Sequence, residues 1–123
     1  GTVLQGAGLS RVNLQGANLQ GANLTGINLR GKDFSGANLS GSNLGGAILS
    51  EADLSHADLS NVDLSGKDLR GTNFKGASFE GATLARVNLT KADLTGANLR
   101  NTELDAIIFC KTKTPWGEDN SGC

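Results

Sequence analysis

His56 is the only histidine of the chain, and it stands in the run Asp53-Leu54-Ser55-His56-Ala57-Asp58, where a hydroxyl, an imidazole and two carboxylates are close neighbours. These are the parts of a nucleophile, base and orienting acid, but such a relay needs a positioned base and an oxyanion site inside a cleft. Sequence neighbours on an outer wall supply neither. No second ligand-rich motif accompanies the histidine to build a metal centre. The chain is read as a non-enzyme, with no catalytic, cofactor or metal residue assigned. The other chemically distinctive residues are Cys110 and Cys123, the only cysteines, and two lysines, Lys32 and Lys67, whose positions suit a charge poorly.

What positions all of them is a spacing of five. From Leu4 to Phe109 every fifth residue is Leu or Phe, twenty-two in succession, and only Phe34, Phe74, Phe79 and Phe109 are aromatic. A helix repeats its apolar positions at about 3.6 residues and a half-buried strand at 2. On a helix, five residues advance about 500°, so the leucines would spiral over the whole surface. On a straight strand an odd spacing sends them to alternate sides. The spacing therefore predicts a chain that turns one corner per repeat and directs each central side chain at a shared axis.

The flanking positions agree. Two residues before the centre stand eleven Ala and five Val or Ile, suited to a confined interior. Just before the centre stand nine Asn and six Asp, and two after it thirteen Gly. Asn, Asp and Gly are what tight corners select, through side-chain bonds to the backbone and tolerance of positive φ.

Composition bounds the rest. With 123 residues the chain is one domain by length, and 37% hydrophobic content supplies a core only if that core is thin and regular. Eleven basic against twelve acidic residues give a net charge of -1, so no global field selects nucleic acid and none imitates it. No apolar run approaches the roughly 18 residues of a membrane span, and a soluble protein is expected. The repeat is in phase by Leu4 and the first residue is Gly1, which predicts a segment upstream, removed by processing or by design.

The pattern A(N/D)LXX, as in Ala17-Asn18-Leu19, Ala22-Asn23-Leu24, Ala52-Asp53-Leu54 and Ala97-Asn98-Leu99, resembles the pentapeptide-repeat family over residues 2–111. The resemblance implies an all-β fold, a right-handed quadrilateral β-helix in which four pentads make one coil. Twenty-two pentads at four per coil give about five and a half coils, a rod roughly 25 Å long at the usual strand separation. Residues 1–109 form this solenoid and 110–123 a short nonrepeat C-terminal cap. Each rung buries its leucines only against neighbouring rungs, so the ends need covers.

In that register, residues twenty apart stack, and the four faces can be sorted. One carries Arg11, Arg30, Arg70, Lys91 and Lys111 against Glu51 and Asp68, and is the candidate partner-binding basic face. The next carries Asp33, Asp53 and Asp93 in a column with His56 and Lys75 nearby; corner hydrogen bonds explain the column better than calcium does. A third has Ala17, Ala37, Ala57, Ala77 and Ala97 inward and is expected to be the flattest. Lys32 and Lys67 occupy the inward slot, where an unpaired ammonium cannot stay. Either the amine escapes outward past a packed stem, or the coil loosens to admit water. Asp33 and Asp68 adjoin them as pairing candidates; a structural irregularity is the favoured reading and a binding pocket the alternative.

After Phe109 the repeat stops and the chain reads CKTKTPWGEDNSGC. A Cys110–Cys123 disulfide would close this loop through a Pro-Trp-Gly turn and fold Trp116 across the last open rung; two free thiols are the alternative. Both cysteines flank one compact segment and no metal partner is evident, which favours the disulfide. The chain-entropy argument gives it ~3 kcal/mol. The tail is also similar to the endings of cyanobacterial and chloroplast-lumenal members of the family, and with the disulfide this places the protein in the thylakoid lumen, a bacterial periplasm or cytoplasm being the alternative.

The expected function is a non-catalytic scaffold of the lumen that presents a rigid patterned wall to an unknown protein partner, without cofactor, nucleic acid or membrane insertion, and as a monomer rather than a dimer. The alternative is a DNA-mimicking gyrase inhibitor of the quinolone-resistance type. That mechanism needs a strongly negative rod, and the near-neutral charge and the Arg/Lys stripe argue against it. A third reading is a purely mechanical module.

Overall fold

The computed structural model describes residues 13–123. Its smallest unit is a corner. Ala17 N donates to Leu14 O at 3.1 Å, closing a four-residue turn whose third residue, Gly16, has φ 65°. A positive φ at that place is type II geometry, which glycine adopts without strain. The same turn recurs from Ala22 N to Leu19 O (3.0 Å), from Ala37 N to Phe34 O (2.9 Å) and from Ala82 N to Phe79 O (2.8 Å). The Asn or Asp before each centre locks the corner by accepting from the backbone two residues on. Asn13 Oδ1 takes Gln15 N at 3.0 Å, Asp53 Oδ1 takes Ser55 N at 3.0 Å and Asp93 Oδ1 takes Thr95 N at 3.0 Å. Asn and Asp interchange here because either offers the one oxygen required.

Corners stack into coils through backbone hydrogen bonds along the axis. Every isolated parallel bridge among the described residues joins residues twenty apart, from Asn18↔Asn38 to Asp93↔Lys113. Twenty residues are four pentads, so each coil has four sides. The centres fill the axis: Leu24, Phe34, Leu54, Leu69, Phe74 and Phe79 are fully buried, with Phe74 and Phe79 edge to face at 5.0 Å. The slot before them holds Ala22, Ala37, Ala52 and Ala77, also buried. Three threonines use this slot differently. Thr72, Thr102 and Thr112 donate through Oγ1 to Leu49 O (3.1 Å), Phe79 O (2.7 Å) and Leu89 O (2.7 Å), tying each coil to the one before it.

The ladder runs past the last Leu/Phe centre. Thr112 is buried in its slot, and Lys113 N reaches Ala92 O at 3.0 Å. Strand β1 (Thr112–Thr114) then turns through Pro115 and Trp116 into β2 (Gly117–Asp119), paired antiparallel with it. The Cys110 and Cys123 sulfurs lie at disulfide distance, 1.96 Å. Two sequence expectations need correction at this end. Trp116 meets Phe109 edge to face at 6.2 Å but stays 60% exposed, so it covers the last rung only in part. Leu104, a repeat centre expected on the axis, is 43% exposed, because the hairpin turns back over Phe109 and leaves that side open.

Corners also interlock by size. His56, at φ 57°, and Asn61, at φ 61°, stand where most repeats have Gly, and their side chains lie over Gly76 and Gly81 of the next coil. A Cβ on Gly76 would fall 2.5 Å from His56 Nδ1. Gly76→Ala is therefore expected to destabilise the protein by about 2 kcal/mol, from overpacking and the left-handed backbone together. His56→Gly in the same chain should restore the packing share, and a double-mutant cycle in denaturant reads that coupling.

Candidate functional site: the basic wall

The stacked register brings Arg30, Arg70, Lys91 and Lys111 onto one wall; Arg11 lies outside the described residues. They are not equivalent. Arg30 Nη2 pairs with Glu51 Oε1 at 3.1 Å. Arg70 grips Asp68 with both Nε (2.9 Å) and Nη2 (2.7 Å). Lys91 and Lys111 make no ion pair among the described residues. Four cations against two acids leave this wall net positive, with the unneutralised charge toward the hairpin end.

Between these charges runs an open groove of about 660 Å³, lined by Arg30, Ile48, Glu51, Asp68, Arg70 and Lys91 among others. Its floor includes Ile48, which is 47% exposed in a column whose other positions are Asn28, Asp68, Asn88 and Ile108. Sequence reasoning assigned the charges but overlooked the groove and its apolar floor. The only signal was Ile48 standing where Asn or Asp is usual. Ile108, 43% exposed, repeats it nearer the hairpin.

The Arg70 guanidinium holds the Asp68 carboxyl below the ordinary carboxylate range, burial opposing and the Arg70 amide assisting. Hydrogen bonds from Ser65 do the same for Asp63. For Asp33 the Ser35 amide leads and a Gln15 hydrogen bond assists.

The residues around His56 form no relay. Ser55 Oγ donates to Asp53 Oδ1 at 2.7 Å, and Ser60 occupies Asp58 Oδ1 at 2.5 Å. The imidazole lies over Gly76 on the outer wall. The Asp33, Asp53 and Asp93 column is likewise committed to corners. Among the described residues no group of His, Cys, Asp and Glu side chains is arranged to hold a metal ion. Lys75 stands 3.7 Å from Asp93.

Lys67 departs from the sequence expectation of a partner in Asp68. Asp68 is taken by Arg70, and Lys67 Nζ instead donates to Ala47 O at 3.1 Å. The side chain is half-buried, and burial pushes its ammonium below the ordinary lysine range, partly offset by Asp63. Lys32 is also half-buried, and the backbone ladder above it is intact, with Asp53 N on Lys32 O at 2.8 Å.

A family pattern described as Pentapeptide repeats matches in eight copies, over residues 1–31, 33–66 and 68–104. A pentapeptide repeat protein from the cyanobacterium Cyanothece is 36% identical over 75% of this chain and 83% of its own, with a TM-score of 0.49. HetL, a pentapeptide repeat protein involved in heterocyst differentiation regulation from the cyanobacterium Nostoc, is 26% identical over 85% of this chain, with a TM-score of 0.51. The match spans 62% of HetL, less than two thirds of that protein's length. A pentapeptide repeat protein of the Arabidopsis thaliana thylakoid lumen is 32% identical over 74% of this chain and 70% of its own, with a TM-score of 0.30. Among proteins with curated descriptions, none matches.

The Asp68–Arg70 pair gives a pH signature. A carboxyl held low in the folded state contributes stability that is present above its ordinary value and lost as pH falls through the folded one. Asp68→Asn keeps the corner acceptor but not the charge. Its melting temperature should fall less steeply than that of the wild type between pH ~4 and ~2, in thermal scans followed by circular dichroism. Parallel curves for the two proteins would remove the pair from any stabilising role.

Proposed function

Because the chain belongs to the pentapeptide-repeat family, we propose that it is a non-catalytic scaffold, a right-handed solenoid of about five and a half coils closed by the 110–123 hairpin, whose basic wall docks an acidic protein surface. The observation that carries this reading is the groove over Ile48, flanked by two buttressed arginines and by Lys91. Ion pairs hold Arg30 and Arg70 in place, so a partner meets them preformed, while Lys91 and Lys111 keep charge free for an acidic group. Rigid placement of this kind favours specificity and association rate more than raw affinity. The exposed Ile48 supplies the apolar contact that charges alone lack.

The thylakoid lumen is the proposed compartment. It rests on the similarity to the Arabidopsis lumenal protein and on two cysteines at disulfide distance, a pairing that persists in oxidising surroundings. A nucleic-acid mimic is disfavoured by a net charge of -1 and by cations gathered on the wall that carries the groove.

Pull-down after cross-linking in native extract tests the wall. Lys91→Glu with Lys111→Glu disturbs no ion pair among the described residues, so loss of a captured protein cannot be ascribed to a broken pair, and circular dichroism checks the fold. The wild type is expected to capture a protein with an acidic surface and the double variant to lose it. Equal capture by both would move the interface off this wall.

A further inference from the structure

Between Gly16 and Lys113 the axial ladder follows one rule: each centre's N–H and the N–H two residues after it donate to the residue nineteen ahead, and each residue just before a centre donates twenty-one back, as Leu39 N to Asp58 O (2.8 Å), Gly41 N to Ser60 O (2.9 Å) and Asp58 N to Ala37 O (2.9 Å). The rule fails in one contiguous stretch. The N–H groups of Leu44, Gly46, Leu49, Asp63 and Asp68 have no hydrogen-bond partner, although each has an equivalent one coil away that is bonded: Leu24 N, Gly26 N, Leu29 N, Thr83 N and Asn88 N. The parallel bridges Asn43↔Asp63 and Ile48↔Asp68 are missing with them. On either side the ladder resumes at once, with Gly41 N on Ser60 O at 2.9 Å and Glu51 N on Arg70 O at 3.0 Å. Two adjacent sides of the coil are parted while the other two stay closed.

The parted stretch contains one of the two inward lysines. Lys67 fills a slot that Ala47 and Val87 occupy one coil below and above, and its Nζ takes Ala47 O, the acceptor that Asp68 N would use. A four-carbon stem and an ammonium do not fit where a methyl does, so the coils separate rather than strand the charge. In the same stretch Ser42 Oγ is buried, with the residue 5% exposed, and has no hydrogen-bond partner. Its slot neighbours one coil away are apolar Ala22 and Val62.

Backbone and hydroxyl groups withdrawn from bulk water do not stay unpaired in folded proteins; where protein supplies no partner, ordered water does. We propose that the stretch is a hydrated slit through the wall, propped open by Lys67, in which water replaces the five missing axial bonds and reaches Ser42, and that local opening of the solenoid begins there. The slit emerges on the basic wall, since Ile48 and Asp68, whose bridge is missing, also line the groove. A fold built from repeated nearest-neighbour interfaces thereby acquires a weak interface at a defined place.

Amide hydrogen exchange on the intact protein, resolved to single residues by NMR, tests this. The amides of Leu44, Gly46, Leu49, Asp63 and Asp68 are expected to exchange at least about tenfold faster than those of Leu24, Gly26, Leu29, Thr83 and Asn88. Lys67→Ala installs the commonest residue of that slot, and Lys67→Thr installs one that donates to a carbonyl of the coil below at three other slots. Either is expected to slow the five amides to the level of their equivalents and raise the melting temperature. Five amides as protected as their equivalents in the wild type would overturn the slit. Fast exchange persisting in both folded variants would overturn the role of Lys67.

Discussion

The structure rests on the axial hydrogen bond between coils. Each rung can form it only if the next approaches to strand distance, about 4.8 Å, and that approach is permitted by what lies inside the wall. Ala, Val or a threonine whose hydroxyl turns to a carbonyl below all satisfy it; Thr72, buried and bonded to Leu49 O, shows how a polar group is accommodated without cost to the ladder. Lys67 shows the opposite case. One long, charged residue in a slot meant for a methyl coincides with the interruption of the ladder between the flanking bonds at Gly41 and Glu51.

The same regularity makes the surface addressable. Because the register is twenty residues, a position in the repeat becomes a column on the wall, and side chains far apart in sequence stand as neighbours. Arg30 meets Glu51 across one coil step, while Asp68 and Arg70 pair along a single rung. The corner chemistry uses most of the aspartates before any ligand can. Asp33, Asp53, Asp58, Asp63, Asp68 and Asp93 each accept the backbone amide two residues on. What looks like an acidic stripe or a fragment of a catalytic relay is thus the device that bends the chain.

The hairpin end follows a different logic. β1 continues the ladder on Ala92 and Leu94, so the nonrepeat segment is docked by the same bonds as a coil. It then turns back instead of completing the square. Thr112 and Thr114 are buried beneath it, whereas Leu104, Ile108 and Trp116 remain exposed. The segment is held by backbone pairing and by cysteines at disulfide distance.

The sequence by itself determined the turning coil, the inward leucines, the Asx corners and the column in which each charge stands. These depend on residue type at fixed spacing, and a period of five admits few geometries. Two lysines in inward slots announced an irregularity, but not its form. What surrounds an inward side chain is set by the residues twenty before and after it, and whether a neighbour gives way depends on packing. Only the tertiary structure decided that Asp68 would hold Arg70 instead of Lys67, that Ile48 would floor a groove, and that Leu104 would stay uncovered. Each is a choice among partners within reach, settled by distances between coils that a one-dimensional pattern does not contain.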